Sequence, residues 1–188
     1  MKSLTDTEII ESVNRGNQGD YSLLVDRYKH KGFSLLKRML RNNQDAEEVL
    51  QDSFLKAYQS LQSFRGDAKF STWFYRIVYN SALSFLSSKR KKLDNDLQSI
   101  EDHLELKDSD DHIYAESENV KQYISGIIEK MPEKYAAVIT MFYLEEMSLD
   151  EISKVTSLSL VNTKVILHRA RGILRELILK HNYQEELL

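Results

Sequence analysis

Cysteine is absent from this sequence, proline occurs once and glycine six times in 188 residues. Without thiols there is neither a disulfide nor a thiolate zinc site, and the composition fits a reducing, cytoplasmic setting. So few helix breakers favour an all-α chain. No sustained alternation of apolar and polar residues bounded by turn signals predicts a sheet. No apolar run approaches the roughly 20 residues of a membrane span, so no membrane insertion is expected. The opening MKSLTDTEII meets acids at once and lacks the apolar segment of a signal peptide.

Enzymatic signals are equally scarce. There is no Gly-rich phosphate loop. His30, His103, His112, His168 and His181 are scattered without ligand spacing, so neither metal nor cofactor is predicted. Ser34 and Lys37 form an S-x-x-K string, but its partner motifs are missing. No catalytic residue is assigned.

Charge is present, and it is unevenly placed. Between Asp94 and Glu118 ten acids face one base, a local balance of −9, so the rest of a chain whose net charge is −3 stands at +6. That acidic stretch has scattered apolars and weak periodicity, the pattern of a linker. The expected architecture is therefore two small helical domains, 1–92 and 119–188, joined by an acidic flexible linker at 93–118.

Within the first part, Thr5 and Glu8 form a capping-box pattern. Helices are predicted from about Tyr21 to Arg41, from near Asp45, and from Ser71 or Thr72, with Phe70 placed to staple onto Tyr75. The helix at 45–61 buries a stripe that includes Ala46, Val49, Phe54 and Ala57. Its other face carries Glu47, Glu48, Gln51 and Asp52, with Leu55 among them. After the linker, helices are expected at about 119–130 and 132–146, with Pro132 at a first helical position. Ser148 and Glu151 form a second capping box opening a short helix. A turn at 156–159 then leads to a long helix capped by Ser159. Two helices joined by a tight turn, the second longer and basic, match a helix-turn-helix. Leu160, Thr163, Leu167, Ala170 and Leu174 are expected inward. Asn162, Lys164, Val165, His168, Arg169 and Arg171 are expected outside or flanking.

The densest signal is FRGDAKFSTWFYRIVYN at 64–80. Residues 64–92 hold seven Lys/Arg against Asp67 alone, and seven of the chain's 18 aromatics. Cations hold phosphates, and aromatic faces stack on unpaired bases. Phe74, Ile77, Val78, Ala82 and Phe85 form an apolar stripe. Thr72, Tyr75, Arg76, Tyr79, Asn80 and Leu83 share the opposite face, expected outward. Asn80 offers an amide that can pair with a base edge. A Tyr-rich protein interface is the alternative.

At these residues the chain resembles a bacterial RNA polymerase sigma factor of the extracytoplasmic-function (ECF) group of the sigma-70 family. DAEEVLQDSFLKAYQSLQSFRGDAKFSTWFYRIVYNSALSFL at 45–86 is similar to that family's region two. MPEKYAAVITMFYLEEMSLDEIS and SLVNTKVILHRARGILREL, within 131–177, are similar to region four. The resemblance implies that Glu48, Gln51 and Asp52, flanked by Asp45 and Leu55, bind the clamp helices of the polymerase β′ subunit. It implies that Phe64, Arg65, Gly66, Lys69, Phe70, Ser71, Thr72 and Trp73 capture the opened strand of the minus-ten element. Tyr75, Arg76, Tyr79 and Asn80 would lie on the supporting helix. Ser159, Val161, Asn162, Lys164, Val165, His168, Arg169 and Arg171 would read the minus-thirty-five element in duplex DNA. Further implied partners are the β flap of core polymerase and an anti-sigma factor. The linker would thread the polymerase cleft, where its acids can occupy a channel built for RNA.

The sequence also departs from the family. Val161 stands where Gly is usual, and Val165 with Ile166 where a small residue and Arg are usual. Ser157 and Glu146 replace turn glycines. Two other readings are a stand-alone helix-turn-helix regulator of duplex DNA and a regulatory module that binds only proteins. The acidic helix argues against the first, and the basic aromatic stretch against the second.

Overall fold

The computed structural model describes residues 4–97 and 118–185, and every regular element among them is helical. Residues 98–117, most of the expected linker, lie outside the described residues. The first half holds α1 (Asp6–Asn14), α2 (Tyr21–Leu40), α3 (Asn43–Ser60) and α4 (Phe70–Leu97). The second holds α5 (Glu118–Glu129), α6 (Glu133–Ile139), α7 (Leu149–Thr156) and α8 (Leu160–Glu185).

Local chemistry sets most of the boundaries. The Thr5 hydroxyl accepts from the Glu8 N–H, while the Glu8 carboxylate accepts from the Thr5 N–H at 2.7 Å, closing the expected capping box. Asp6 then takes both Arg27 and the Tyr28 hydroxyl, tying α1 to α2. Arg41 ends α2 in the left-handed conformation, φ 55°, with its N–H on the Lys37 carbonyl at 2.8 Å. The next helix starts two residues earlier than Asp45, because the Asn42 side chain accepts from the Asp45 N–H at 2.9 Å.

Four helices build the first core, with Ile9, Ile10 and Val13 of α1 buried beside the other three. Leu24, Leu35, Leu36 and Met39 of α2 meet Ala46, Val49, Phe54 and Ala57 of α3, and Phe70, Phe74, Val78 and Ala82 of α4. The Phe74 ring is stacked 4.6 Å from Phe54 and lies 5.9 Å from Tyr28. Each such pair contributes about 0.5–1.5 kcal/mol beyond area burial. Beside these rings Gly32 leaves room for Leu50: a Cβ there would fall 2.8 Å from Leu50 Cδ1 and 3.5 Å from Phe74 Cε1, so the Leu50 side chain would have to shift.

The second half departs more from expectation. Pro132 caps α6 rather than entering it, and the helix expected at 132–146 stays α-helical only to Ile139. Thr140–Leu144 is a π-helical turn, with the Glu145 N–H on the Thr140 carbonyl at 3.1 Å. Glu146 follows at φ 52°. Ser148 and Glu151 close the second capping box at α7, and Ser157 ends that helix at φ 58°. Both positions the sequence marked as departures from turn glycine thus adopt the conformation that glycine holds without strain.

The halves also pack on each other, which no sequence pattern indicated. α2 lies against α5 and α6, and α4 lies against α7. The buried apolar side chains form one connected cluster across both halves.

Candidate nucleic-acid interface

On α3, Glu47, Glu48, Gln51, Asp52 and Leu55 are all exposed, Leu55 by 55%. The buried stripe on the other side fixes this orientation, and Ser53 satisfies its hydroxyl within it by donating to the Val49 carbonyl at 2.6 Å. Asp45 differs from the others: it is half-buried and takes the Lys89 ammonium of α4 at 2.8 Å. It therefore braces two helices at the edge of the acidic face.

The aromatic stretch divides sharply. Phe64 and Trp73 are half-buried with ring centroids 5.2 Å apart, and Phe70 sits 5.5 Å from Trp73 and 5.3 Å from Tyr28. Phe70 is itself the first residue of α4 and is buried in this ring cluster. Gly66, at φ 77°, turns the loop so that Arg65, Asp67 and Lys69 stay exposed. Arg76 and Asn80 are exposed and Ser71 is half-buried.

Thr72, Tyr75 and Tyr79 correct the sequence reading. Expected outward, they are buried, at 2%, 2% and 7% exposure. The physical reason is tertiary: α7 packs on α4, so the face that would be solvated on an isolated first half is covered. The Tyr75 hydroxyl lies buried beside the Glu145 carboxylate. Burial, and then that negative neighbour, push its ionisation far above the usual tyrosine range.

In the helix-turn-helix, the Ser159 hydroxyl accepts from the Asn162 N–H at 3.2 Å, and Thr163, Leu167 and Ala170 are buried against α6 and α7. Ser159, Asn162, Lys164, His168 and Arg169 are exposed, as are Val161 by 69% and Val165 by 42%. Leu160, expected inward, is 41% exposed. Arg171 is exposed yet engaged: its Nε donates to the Tyr143 hydroxyl at 2.8 Å, and its guanidinium lies over the rings of Phe142 and Tyr143. The π-helical turn presents those rings.

Sequence reasoning missed a further group. Arg41 donates to the Met131 carbonyl at 2.7 Å and Arg38 to the Ser125 hydroxyl at 3.1 Å. Lys31 pairs with Glu145, Lys37 with Glu129, Lys69 with Glu151 and Arg90 with Glu133. Each bond joins the two halves, and in every one the cationic side chain belongs to the first. No local pattern marks such residues.

Among the described residues, no group of three metal-ligating side chains occurs, and no helix is long and apolar enough to cross a membrane.

Residues 24–92 match the Sigma-70 region 2 family and residues 121–174 match Sigma-70, region 4. The ECF RNA polymerase sigma-E factor of Escherichia coli is 36% identical over 177 residues, covering 90% of this chain and 92% of the relative. The chain belongs to the extracytoplasmic-function group of the sigma-70 family. A sigma factor functions in transcription initiation. The sigma-E factor of Haemophilus influenzae is 32% identical over 185 residues, covering 94% of this chain and 97% of that one. In fold, the chain is similar to CnrH, solved in complex with the cytosolic domain of CnrY, at TM-score 0.63 and 21% identity over 90% of this chain and 94% of that one. It is similar also to the sigma factor RpoE of Bartonella quintana, solved with the anti-sigma factor NepR, at TM-score 0.66 and 18% identity over 85% and 96%.

Proposed function

We propose that this sigma factor acts as three separate surfaces on one chain. The exposed acidic face of α3, with Glu48, Gln51, Asp52 and Leu55, docks on the β′ clamp helices of core polymerase, where charge complementarity sets orientation and on-rate. Asp45 supports it from the edge. The loop carrying Phe64, Arg65, Gly66 and Lys69, and the start of α4 with Phe70, Ser71, Thr72 and Trp73, hold the opened minus-ten strand. Arg76 and Asn80 extend this site along α4, with Tyr75 and Tyr79 on its neighbouring face. Extruding a base costs a few kcal/mol, which stacking and a shaped pocket offset. Ser159, Val161, Asn162, Lys164, Val165, His168 and Arg169 present the first turns of α8 to the minus-thirty-five duplex, where Val161 and Val165 suit thymine methyl groups. The second half also meets the β flap. The bond-making chemistry belongs to core polymerase, the chain works in the cytoplasm, and an anti-sigma factor restrains it.

The observation that carries this reading is the separation of charge and aromatics. A carboxylate-rich face on α3 and a basic, ring-lined loop before α4 sit on one small bundle. A duplex-binding regulator gains nothing from the first, and a purely protein-binding module gains nothing from the second. Run-off transcription with core polymerase on a genomic promoter library tests it. Transcripts that start at defined sites only when this protein is added support the reading. DNA binding that neither needs nor engages core would replace it with a stand-alone regulator.

A further inference from the structure

We infer that Val161 and Val165 set the sequence specificity of the second half, selecting a minus-thirty-five element with two thymines about two base-pair steps apart by their 5-methyl groups. The inference rests on the sigma-factor reading above and names the class of sequence that its third surface reads.

The outer line of α8 carries it. Thr163, Leu167 and Ala170 face the core, so Val161, Val165, His168 and Gly172, at helical spacing on the opposite side, form the line farthest from it. Val161, at 69%, is the most exposed large apolar side chain among the described residues. Neither valine belongs to the buried cluster or to the side chains packed against it. Ile166 does pack against that cluster, so it adds nothing to the outer line. Beyond His168 the line ends at Gly172, where a Cβ would meet no other atom within 4 Å. The raised part is thus confined to the first turns of the helix.

Charge identifies what this line faces. Residues 159–175 hold four Lys/Arg and no acid. Lys164 and Arg175 flank the line on one side, and Asn162 and Arg169 flank it on the other. All four are exposed, and none of the three cations enters an ion pair among the described residues. An apolar strip between two rows of free cations matches a DNA groove, whose phosphates border the base edges on both sides.

The chemistry of the groove then selects the base. Valine neither donates nor accepts a hydrogen bond, and the thymine 5-methyl is the apolar group that the major groove presents. Over guanine, or over the cytosine amino group, a valine would strip water from polar atoms and return no hydrogen bond. Four residues of α-helix advance about 6 Å, and base pairs are spaced about 3.4 Å apart. A helix lying along the groove therefore sets the two valines over positions about two steps apart. Each buried methyl contributes about fourfold in affinity, and the two together about 15-fold.

Holoenzyme assembled from core polymerase and the full-length chain tests this on a promoter that wild type transcribes, with only the minus-thirty-five block randomised. Selection should enrich two thymines about two steps apart. Replacing both with uracil, which removes the methyl groups and keeps the pairing, should weaken holoenzyme binding about 15-fold. Val161→Ala/Val165→Ala should bind the thymine duplex as weakly as wild type binds the uracil one, and should distinguish the two by no more than about twofold. Both positions are exposed and alanine favours helix, so circular dichroism and co-purification with core should be unchanged. If wild type directs transcription but no such thymines are enriched, or uracil binds equally well, or the variant keeps the full thymine preference, the inference is overturned while the sigma reading stands. Loss of core binding by the variant would assign the valines to a protein interface and overturn it too. If wild type directs no transcription with core, the sigma reading fails and the inference falls with it.

Discussion

Lys69 Nζ lies 2.8 Å from Glu151 Oε1, joining the loop before α4 to the first turn of α7. The ammonium, helped by the Ser148 amide and hydroxyl and opposed by burial, holds the Glu151 carboxyl down at about 2 from an ordinary 4.5. Because the folded value lies below the unfolded one, this contribution is complete above about pH 4.5 and is lost as pH falls toward 2. In Lys69→Ala the Glu151 pKa should rise part of the way back, since Ser148 still caps it. A carbon-detected NMR titration of the side-chain carboxyl reads this directly. An unchanged value near 2 would show that the pair contributes nothing.

Gln51 and Asp52 are exposed on α3 and sit away from its buried stripe. Replacing both with Arg should reduce co-purification with core polymerase at least tenfold while the helical circular dichroism signal is kept. Charge reversal on a docking face removes attraction and adds repulsion. Undiminished co-purification would sink the assignment of this face.

Arg169 and Arg171 should behave differently, although both are exposed. Arg169→Ala should weaken promoter binding uniformly across sequences and flatten the logarithmic salt dependence by about 1. Arg171 instead clamps Phe142 and Tyr143, so Arg171→Ala should lower the stability of the second half and change the salt slope less. Equal slope changes for the two variants would contradict that division.

Ser157 closes α7 at φ 58°. A left-handed non-glycine residue costs about 1–2 kcal/mol, and the extra freedom of an unfolded glycine takes back about 0.5–1 kcal/mol. Ser157→Gly should therefore stabilise the chain by about 0.5–1 kcal/mol in urea denaturation. A loss of stability would mean that the Ser157 side chain makes a contribution its geometry does not indicate.

What the sequence made legible was local or periodic. Both capping boxes formed as spaced, because Thr5–Glu8 and Ser148–Glu151 need only each other. The span of α2 and the inward residues of α3 followed from helical period alone. The acidic and basic-aromatic surfaces were found because each concentrates one kind of residue. Tyr75 and Tyr79 were misread because their burial depends on α7, some 70 residues away, and an amphipathic pattern does not name the partner of its second face. The π turn at Thr140–Leu144 and the aromatic clamp on Arg171 were likewise invisible, since both arise from packing within the second half. The cross-half ion pairs use lysines, arginines and glutamates that look like any solvated surface.

Permanganate footprinting of unpaired thymines on a promoter matched to this protein tests the central claim most directly. With core polymerase and wild-type chain, reactive thymines should appear at the minus-ten element and nowhere upstream. Replacing Trp73, Arg76 and Asn80 with Ala should reduce that signal at least tenfold while core binding is retained. Absence of opening by wild type, or full opening by the triple variant, would contradict the account.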